Sequence, residues 1–135
     1  MRMTVRRLEA MRDTGTPIVA LTCYEASFAR LLNDCGVDIL LVGDSLGMTV
    51  QGRDSTLGVS VEDVAYHTRC VAGVGGPALV MADLPFGSYQ ASPQQAFESA
   101  AQLMAAGAQV VKLEGGEVMS RTVEFVSRRG VPVCG

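Results

Sequence analysis

Three carboxylates in this chain each stand where an apolar, strand-like segment ends: Asp44, Asp83 and Glu114. If the strands are parallel and joined by helices, their carboxyl ends share one rim, so we expect the three acids to converge. Unpaired, they would repel and raise one another's pKa values, whereas a hard divalent cation relieves the repulsion. The sequence therefore predicts a magnesium-type site on an α/β scaffold.

Each acid also has a simpler interpretation, because Asp often follows a strand as a turn-forming residue. The occurrence of all three, with Glu114 followed by Gly115 and Gly116, favours the metal site over three unrelated turns. Ligation by oxygen alone fits Mg²⁺. Zinc would require His or Cys in the cluster, and none is spaced for that role.

Lys112 stands two residues before Glu114, and strand side chains alternate, so both are expected to face the same side. A lysine in that position either forms an ion pair within the fold or binds a substrate carboxylate, and the sequence leaves both interpretations open. Ser45, in the glycine-flanked turn at residues 43–47, can donate its hydroxyl and amide to an anionic oxygen. That turn matches neither a P-loop nor a dinucleotide-binding motif.

Three further residues are weaker candidates for the site. His67 lies in the middle of a predicted helix and is interpreted as a packing or surface residue. Tyr24 and Glu25 follow the first predicted strand and are candidates for supporting positions on the same rim. A Glu at a helix start is also explained by its interaction with the helix dipole.

Predicted strands and helices alternate along the whole chain. The strands are predicted at residues 17–22, 38–43, 77–82, 109–114 and 131–135, the first of them as a buried strand. The helices are predicted within residues 1–13 and at residues 24–36, 60–74, 92–107 and 117–130, with a loop over 45–58. Such alternation implies an α/β fold with parallel strands and right-handed crossovers.

The amino-acid composition indicates the class of protein and argues against some functions. The 135 residues, 48% of them hydrophobic, predict a single domain over residues 1–135 with no second domain. A net charge of -3 gives no basic surface for nucleic acid, and no apolar run is long enough for a membrane span. The four cysteines form no CxxC pair, which is typical of reduced thiols, so we expect a cytoplasmic protein.

With these segments in hand, the chain resembles the ketopantoate hydroxymethyltransferase family, which acts in pantothenate biosynthesis. The resemblance runs from about residue 4 to the end, and its most specific motifs are GDSLGMTVQG at residues 43–52 and VKLEGG at residues 111–116. The final VPVCG also matches. One departure is Gly58, where the family typically has proline, and we expect a looser loop there with the ligands unaffected.

The resemblance implies a (β/α)₈ barrel of the phosphoenolpyruvate/pyruvate type, of which this chain carries the first four to five βα units. It implies transfer of a hydroxymethyl group from 5,10-methylenetetrahydrofolate to 3-methyl-2-oxobutanoate through a Mg²⁺-stabilised enolate, in a homodecamer. The residues that match the family's magnesium ligands are Asp44, Asp83 and Glu114. Those that match its keto-acid contacts are Asp44, Ser45, Asp83 and Lys112.

The family's catalytic base is a glutamate on a later strand, so the resemblance assigns no catalytic residue within residues 1–135. We therefore expect this chain alone to be inactive and to associate through open sheet edges. Two alternatives stay open: a fragment that retains only the metal and keto-acid half-site, or another Mg²⁺-dependent keto-acid lyase of the same superfamily. The cysteine-bearing loop expected of such lyases is not found in the sequence.

Overall fold

Five parallel strands form one sheet, and their order in the sheet is their order in the chain. The computed structural model describes residues 2–135. The strands are β1 (Ala20–Thr22), β2 (Ile39–Val42), β3 (Leu79–Asp83), β4 (Val110–Lys112) and β5 (Val133–Cys134). The helices are α1 (Val5–Asp13), α2 (Ala26–Asp34), α3 (Leu46–Thr49), α4 (Val61–Ala72), α5 (Pro93–Ala105) and α6 (Ser120–Ser127), and a 3₁₀ turn, Gly116–Met119, leads into α6.

The sequential order separates this sheet from a doubly wound one, in which the order reverses at a switch point. Each of the strands β1 to β4 is followed by a helix and pairs in parallel with the next strand, from β1 with β2 to β4 with β5. Right-handed crossovers in one direction then place the connecting helices α2, α4, α5 and α6 on one face, as in a barrel wall. The predicted α/β alternation is confirmed.

Side-chain alternation along the strands gives the sheet two apolar faces. On β3, Val80 and Ala82 belong to the large core cluster that the sheet shares with the helices. Leu79 and Met81 point to the other face, where they pack in a smaller cluster that includes Met3 and is flanked by residues of α1. Asp83 continues the second series, so its side chain leaves the sheet on the inner face of the barrel wall.

The predicted helix starts for α4 and α5 are confirmed. The Ser60 hydroxyl accepts a hydrogen bond from the backbone N–H of Asp63, and the Asp63 carboxylate accepts from the backbone N–H of Ser60, which completes a capping box. Ser92 caps α5 by accepting from the Gln95 N–H, with Pro93 in the first turn. These caps satisfy backbone donors that the first helical turn leaves unpaired.

The prediction that the first strand is buried was wrong. All three residues of β1 are exposed, including Leu21, because β1 is an edge strand with β2 as its one partner in the sheet. The neighbouring helix α2 likewise leaves Phe28 and Leu31 exposed. An apolar composition indicates that a strand tends to be buried. An edge strand, however, is buried only where another layer of the protein lies over it.

The loop predicted over residues 45–58 contains one turn of helix, α3. One turn is too short to produce a hydrophobic period that sequence analysis detects. In the rest of the loop, the Arg53 guanidinium donates a hydrogen bond to the Gly58 carbonyl. Across residues 2–135, no helix is long and apolar enough to cross a membrane.

Candidate functional site

Asp44, Asp83 and Glu114 line a single cavity of about 280 Å³ at the carboxyl ends of β2, β3 and β4. The other lining residues are Thr56, Leu84, Phe86 and Tyr89. The three acids thus meet on one rim, since parallel strands in sequential order bring successive strand ends side by side. Their role as metal ligands stays a prediction.

Lys112 joins two of these acids. Its Nζ donates to Oδ2 of Asp83 at 2.9 Å and to Oε1 of Glu114 at 2.6 Å. The first pair is mostly shielded, with side chains 25% and 14% exposed for Lys112 and Asp83, whereas Glu114 is 74% exposed. Glu114 lies two residues past the end of β4, on the same side as Lys112, and Asp83 is the register partner of Lys112 across β3 and β4.

The pKa shifts in the cavity follow from burial and from the hydrogen bonds of Lys112. Burial raises the pKa of Asp83, and the charges of Asp44 and Glu114 add to this, although Lys112 acts in the opposite direction. Burial lowers the pKa of Lys112, but the hydrogen bonds and charges of Glu114 and Asp83 outweigh it, so the net shift is upward. The Lys112 hydrogen bond lowers the pKa of Glu114. One ammonium therefore pairs with two carboxylates, those of Asp83 and Glu114.

The donor set of this cavity fits Mg²⁺ in part. Within residues 2–135, no three His, Cys, Asp or Glu side chains are grouped so that they could hold a metal ion together. Mg²⁺ does not require such a group, because it commonly takes one or two carboxylates and completes its shell with water and substrate oxygens. Asp44 and Asp83 both line the cavity, and Lys112 donates a hydrogen bond to Asp83 as well as to Glu114, so a metal would compete with Lys112 for both of these carboxylates.

Ser45, the remaining predicted contact, is turned toward another residue. Its Oγ lies 2.5 Å from the hydroxyl oxygen of Tyr24, which follows β1. The Tyr24 carbonyl in turn lies 2.7 Å from Nδ1 of His67 on α4. His67 has the packing role that the sequence indicated, and Glu25 caps α2 by accepting from the backbone N–H groups of Ser27 and Phe28.

Several features of the site were missed from the sequence. Tyr89 is buried, lines the cavity, and its hydroxyl accepts from the backbone N–H of Glu114 at 3.3 Å. Phe86 is 64% exposed and lines the same cavity. At Gly47, a Cβ would lie 2.6 Å from a Val59 methyl group, so packing favours glycine at this position.

Comparison with known proteins decides the family. The family model of ketopantoate hydroxymethyltransferase matches residues 2–135. The chain belongs to this family. The family that the motifs at residues 43–52 and 111–116 indicated is therefore confirmed.

The curated relatives of this chain share one name. A 3-methyl-2-oxobutanoate hydroxymethyltransferase of Neisseria gonorrhoeae is 60% identical over 132 residues, which cover 98% of this chain and 50% of that protein. A protein of the same name from Thiobacillus denitrificans is 58% identical, over 99% of this chain and 51% of its own length. The chain spans about half the length of the curated relatives it matches.

Solved structures agree on the fold. A phosphonopyruvate hydrolase superposes with a TM-score of 0.73 at 17% identity, covering 93% of this chain and 48% of that one. A 2,3-dimethylmalate lyase, described as a member of the PEP mutase/isocitrate lyase superfamily, has a TM-score of 0.69 at 16% identity and covers 98% and 51%. The predicted barrel fold is confirmed, and the chain corresponds to about half of each of these two structures.

Proposed function

We propose that the protein carrying this chain transfers a hydroxymethyl group from 5,10-methylenetetrahydrofolate to 3-methyl-2-oxobutanoate, and that residues 2–135 contribute its Mg²⁺ and keto-acid half-site. The observation that carries the proposal is the cavity lined by Asp44, Asp83 and Glu114, with Lys112 bonded to two of them, in a chain that belongs to this family. A decamer and a cytoplasmic location stay predictions from the resemblance and the cysteine pattern.

The proposed roles of the site residues follow from their charges. Asp44 and Asp83 would hold Mg²⁺, with Glu114 as a third oxygen donor once Lys112 turns away. Bound there, Mg²⁺ would supply Lewis acidity that makes the C–H next to the keto group easier to ionise. Lys112 would exchange a carboxylate of the protein for the carboxylate of the keto acid. Ser45 would donate a hydrogen bond to that same group.

The proton at C3 of the keto acid must pass to a base. The resemblance assigns that role to a glutamate on a strand that follows residue 135 in family members. No residue of the described site is a clear substitute, because the Glu25 carboxylate is occupied as a helix cap and Glu114 is paired with Lys112. We therefore propose that residues 2–135 bind and polarise the keto acid without removing its proton.

The test separates binding from proton transfer. Purified 135-residue chain is incubated with 3-methyl-2-oxobutanoate and Mg²⁺ in deuterated water, and NMR follows both line broadening on binding and loss of the C3 proton signal. We expect Mg²⁺-dependent binding without C3 exchange from the chain alone. With the protein that carries the chain and 5,10-methylenetetrahydrofolate, we expect Mg²⁺-dependent formation of the hydroxymethylated keto acid.

Three other outcomes would contradict the proposal. Absence of binding would remove the half-site. Mg²⁺-dependent exchange by the chain alone would mean that it contains its own base, with Glu25 the first residue to replace. Binding and exchange without hydroxymethyl transfer by the protein that carries the chain would favour a different keto-acid enzyme of this barrel type.

A further inference from the structure

Tyr24 connects three segments that are distant in the sequence. Its hydroxyl oxygen lies 2.5 Å from Oγ of Ser45, in the turn after β2. Its backbone carbonyl accepts a hydrogen bond from Nδ1 of His67, on α4, at 2.7 Å. Since a carbonyl oxygen only accepts, Nδ1 carries the proton in this contact. The two rings also meet edge to face, with centroids 6.5 Å apart and planes at 82°.

Among residues 2–135, Tyr24 provides the side-chain partner of the Ser45 hydroxyl. Ser45 occupies the cap position before α3, where a serine usually accepts a hydrogen bond from a backbone N–H of the first turn. Here its backbone is already helical, with φ −57° and ψ −17°, and its side chain makes no capping hydrogen bond. The Ser45 hydroxyl is instead directed by Tyr24, immediately beside Asp44, which lines the acidic cavity.

We propose that Tyr24 is a positioning residue for keto-acid binding, orienting the Ser45 hydroxyl, and that His67 fixes Tyr24 in place. The proposal rests on the proposed function, because it takes Ser45 as a contact of the keto-acid carboxylate. A phenol is the more acidic of the two hydroxyls, so Tyr24 donates to Ser45 Oγ. The Ser45 proton is then directed to the substrate oxygen, and the two hydrogen bonds in series polarise each other.

The proposal gives a role to His67, which is half-buried but does not line the acidic cavity. His67 bonds the backbone of the residue that holds Ser45. An exposed ring, Tyr66, also lies edge to face against this imidazole, with centroids 5.2 Å apart. Tyr66 therefore offers a matched control, since it contacts His67 but not Ser45.

The experiment is a double-mutant cycle on keto-acid affinity. The dissociation constant of 3-methyl-2-oxobutanoate is measured by calorimetry at saturating Mg²⁺ for wild type, Tyr24→Phe, Ser45→Ala and the double variant. Tyr24→Phe removes one hydroxyl, so we expect affinity to fall roughly two- to tenfold. In the Ser45→Ala background the same change should have no further effect. Tyr66→Phe should match wild type.

Two readouts separate positioning from general structure. The affinity for Mg²⁺ without keto acid and the thermal midpoint should stay the same in Tyr24→Phe. His67→Leu should weaken keto-acid binding in the wild-type background but not in Tyr24→Phe, and His67→Gln, whose amide can donate to the Tyr24 carbonyl, should restore part of the loss.

The outcomes distinguish this proposal from the one it rests on. If wild type binds the keto acid and Tyr24→Phe binds it equally well, this proposal is overturned while the half-site stands. Additive losses from Tyr24→Phe and Ser45→Ala would overturn it as well. If wild type does not bind the keto acid at all, the proposed function fails and this proposal fails with it.

Discussion

The ammonium of Lys112 and the carboxylate of Asp83 are 2.9 Å apart and belong to register partners on neighbouring strands. Sheet register alone therefore brings this pair together. Glu114, two residues further along the chain from Lys112, takes a second hydrogen bond from the same ammonium at 2.6 Å. In our account, Lys112 releases a protein carboxylate when a divalent cation and an anionic substrate enter.

Replacement of Lys112 by Met tests whether this pair is structural or functional. We expect keto-acid affinity to fall about tenfold or more, because a charged hydrogen-bond donor is lost. The free energy of unfolding should fall by about 2 kcal/mol or less, since Asp83 loses a partner in a mostly shielded pair while Glu114 is exposed. Calorimetric titration and denaturant unfolding measure the two quantities.

Arg69→Met is the matched control for Lys112→Met, because Arg69 pairs with Glu62 at an exposed position. It should leave keto-acid affinity unchanged. If Lys112→Met instead retains full affinity and destabilises the fold by several kcal/mol, the ion pair serves structure rather than binding.

The capping box of α4 predicts a pH dependence of stability. Hydrogen bonds from the Ser60 backbone N–H and hydroxyl lower the pKa of Asp63. Its folded-state pKa is then below the unfolded value of about 3.9, so the carboxylate stabilises the fold above that pH. This contribution is lost as pH falls through the folded-state pKa.

Asp63→Asn should therefore reduce the free energy of unfolding by about 1 kcal/mol at pH 7 and by progressively less below about pH 4. Denaturant unfolding across this pH range measures the difference. Asp54→Asn, in the exposed loop before α4, controls for the loss of one negative charge. A difference between wild type and Asp63→Asn that does not vary with pH would argue against the carboxylate cap.

The open edge at β1 predicts self-association of the chain. Leu21 is 46% exposed on this strand, and Val19 just before it is similarly exposed. An apolar edge with unpaired backbone groups is a template for pairing with another chain, and a lysine on such an edge discourages it. Leu21→Lys should lower the apparent mass at a given concentration in light scattering.

Leu57→Lys provides the control, because Leu57 is 65% exposed in a loop rather than on a sheet edge. It should associate as wild type does. Equal association of all three proteins would place the contact away from β1.

The fold was predictable because the signals that define it are local. Apolar segments, glycine at helix ends and caps such as Ser60 with Asp63 set the order of strands and helices, and that order alone brings Asp44, Asp83 and Glu114 to one rim. The exposure of β1 could not be predicted, because it depends on what covers the sheet rather than on the composition of the strand.

The contacts within the site were only partly predictable. The two-residue spacing of Lys112 and Glu114 indicates that they face the same side, but the bond from Lys112 to Asp83 depends on a register that the sequence does not encode locally. The Tyr24–Ser45 contact joins residues 21 positions apart through their side chains. Tyr89 gives no sequence signal, because its hydroxyl reaches the backbone of Glu114 only once the loop after β3 is folded.

The central claim is that Asp44 and Asp83 bind Mg²⁺ together with the keto acid, and thermodynamic linkage tests it most directly. Affinity for 3-methyl-2-oxobutanoate is measured by calorimetry at saturating Mg²⁺ and in EDTA, for wild type, Asp83→Asn and the exposed control Asp54→Asn. We predict at least about tenfold tighter binding with Mg²⁺ for wild type and Asp54→Asn, and no difference for Asp83→Asn. Equal affinity of wild type in Mg²⁺ and EDTA, or an undiminished Mg²⁺ effect in Asp83→Asn, would contradict the account.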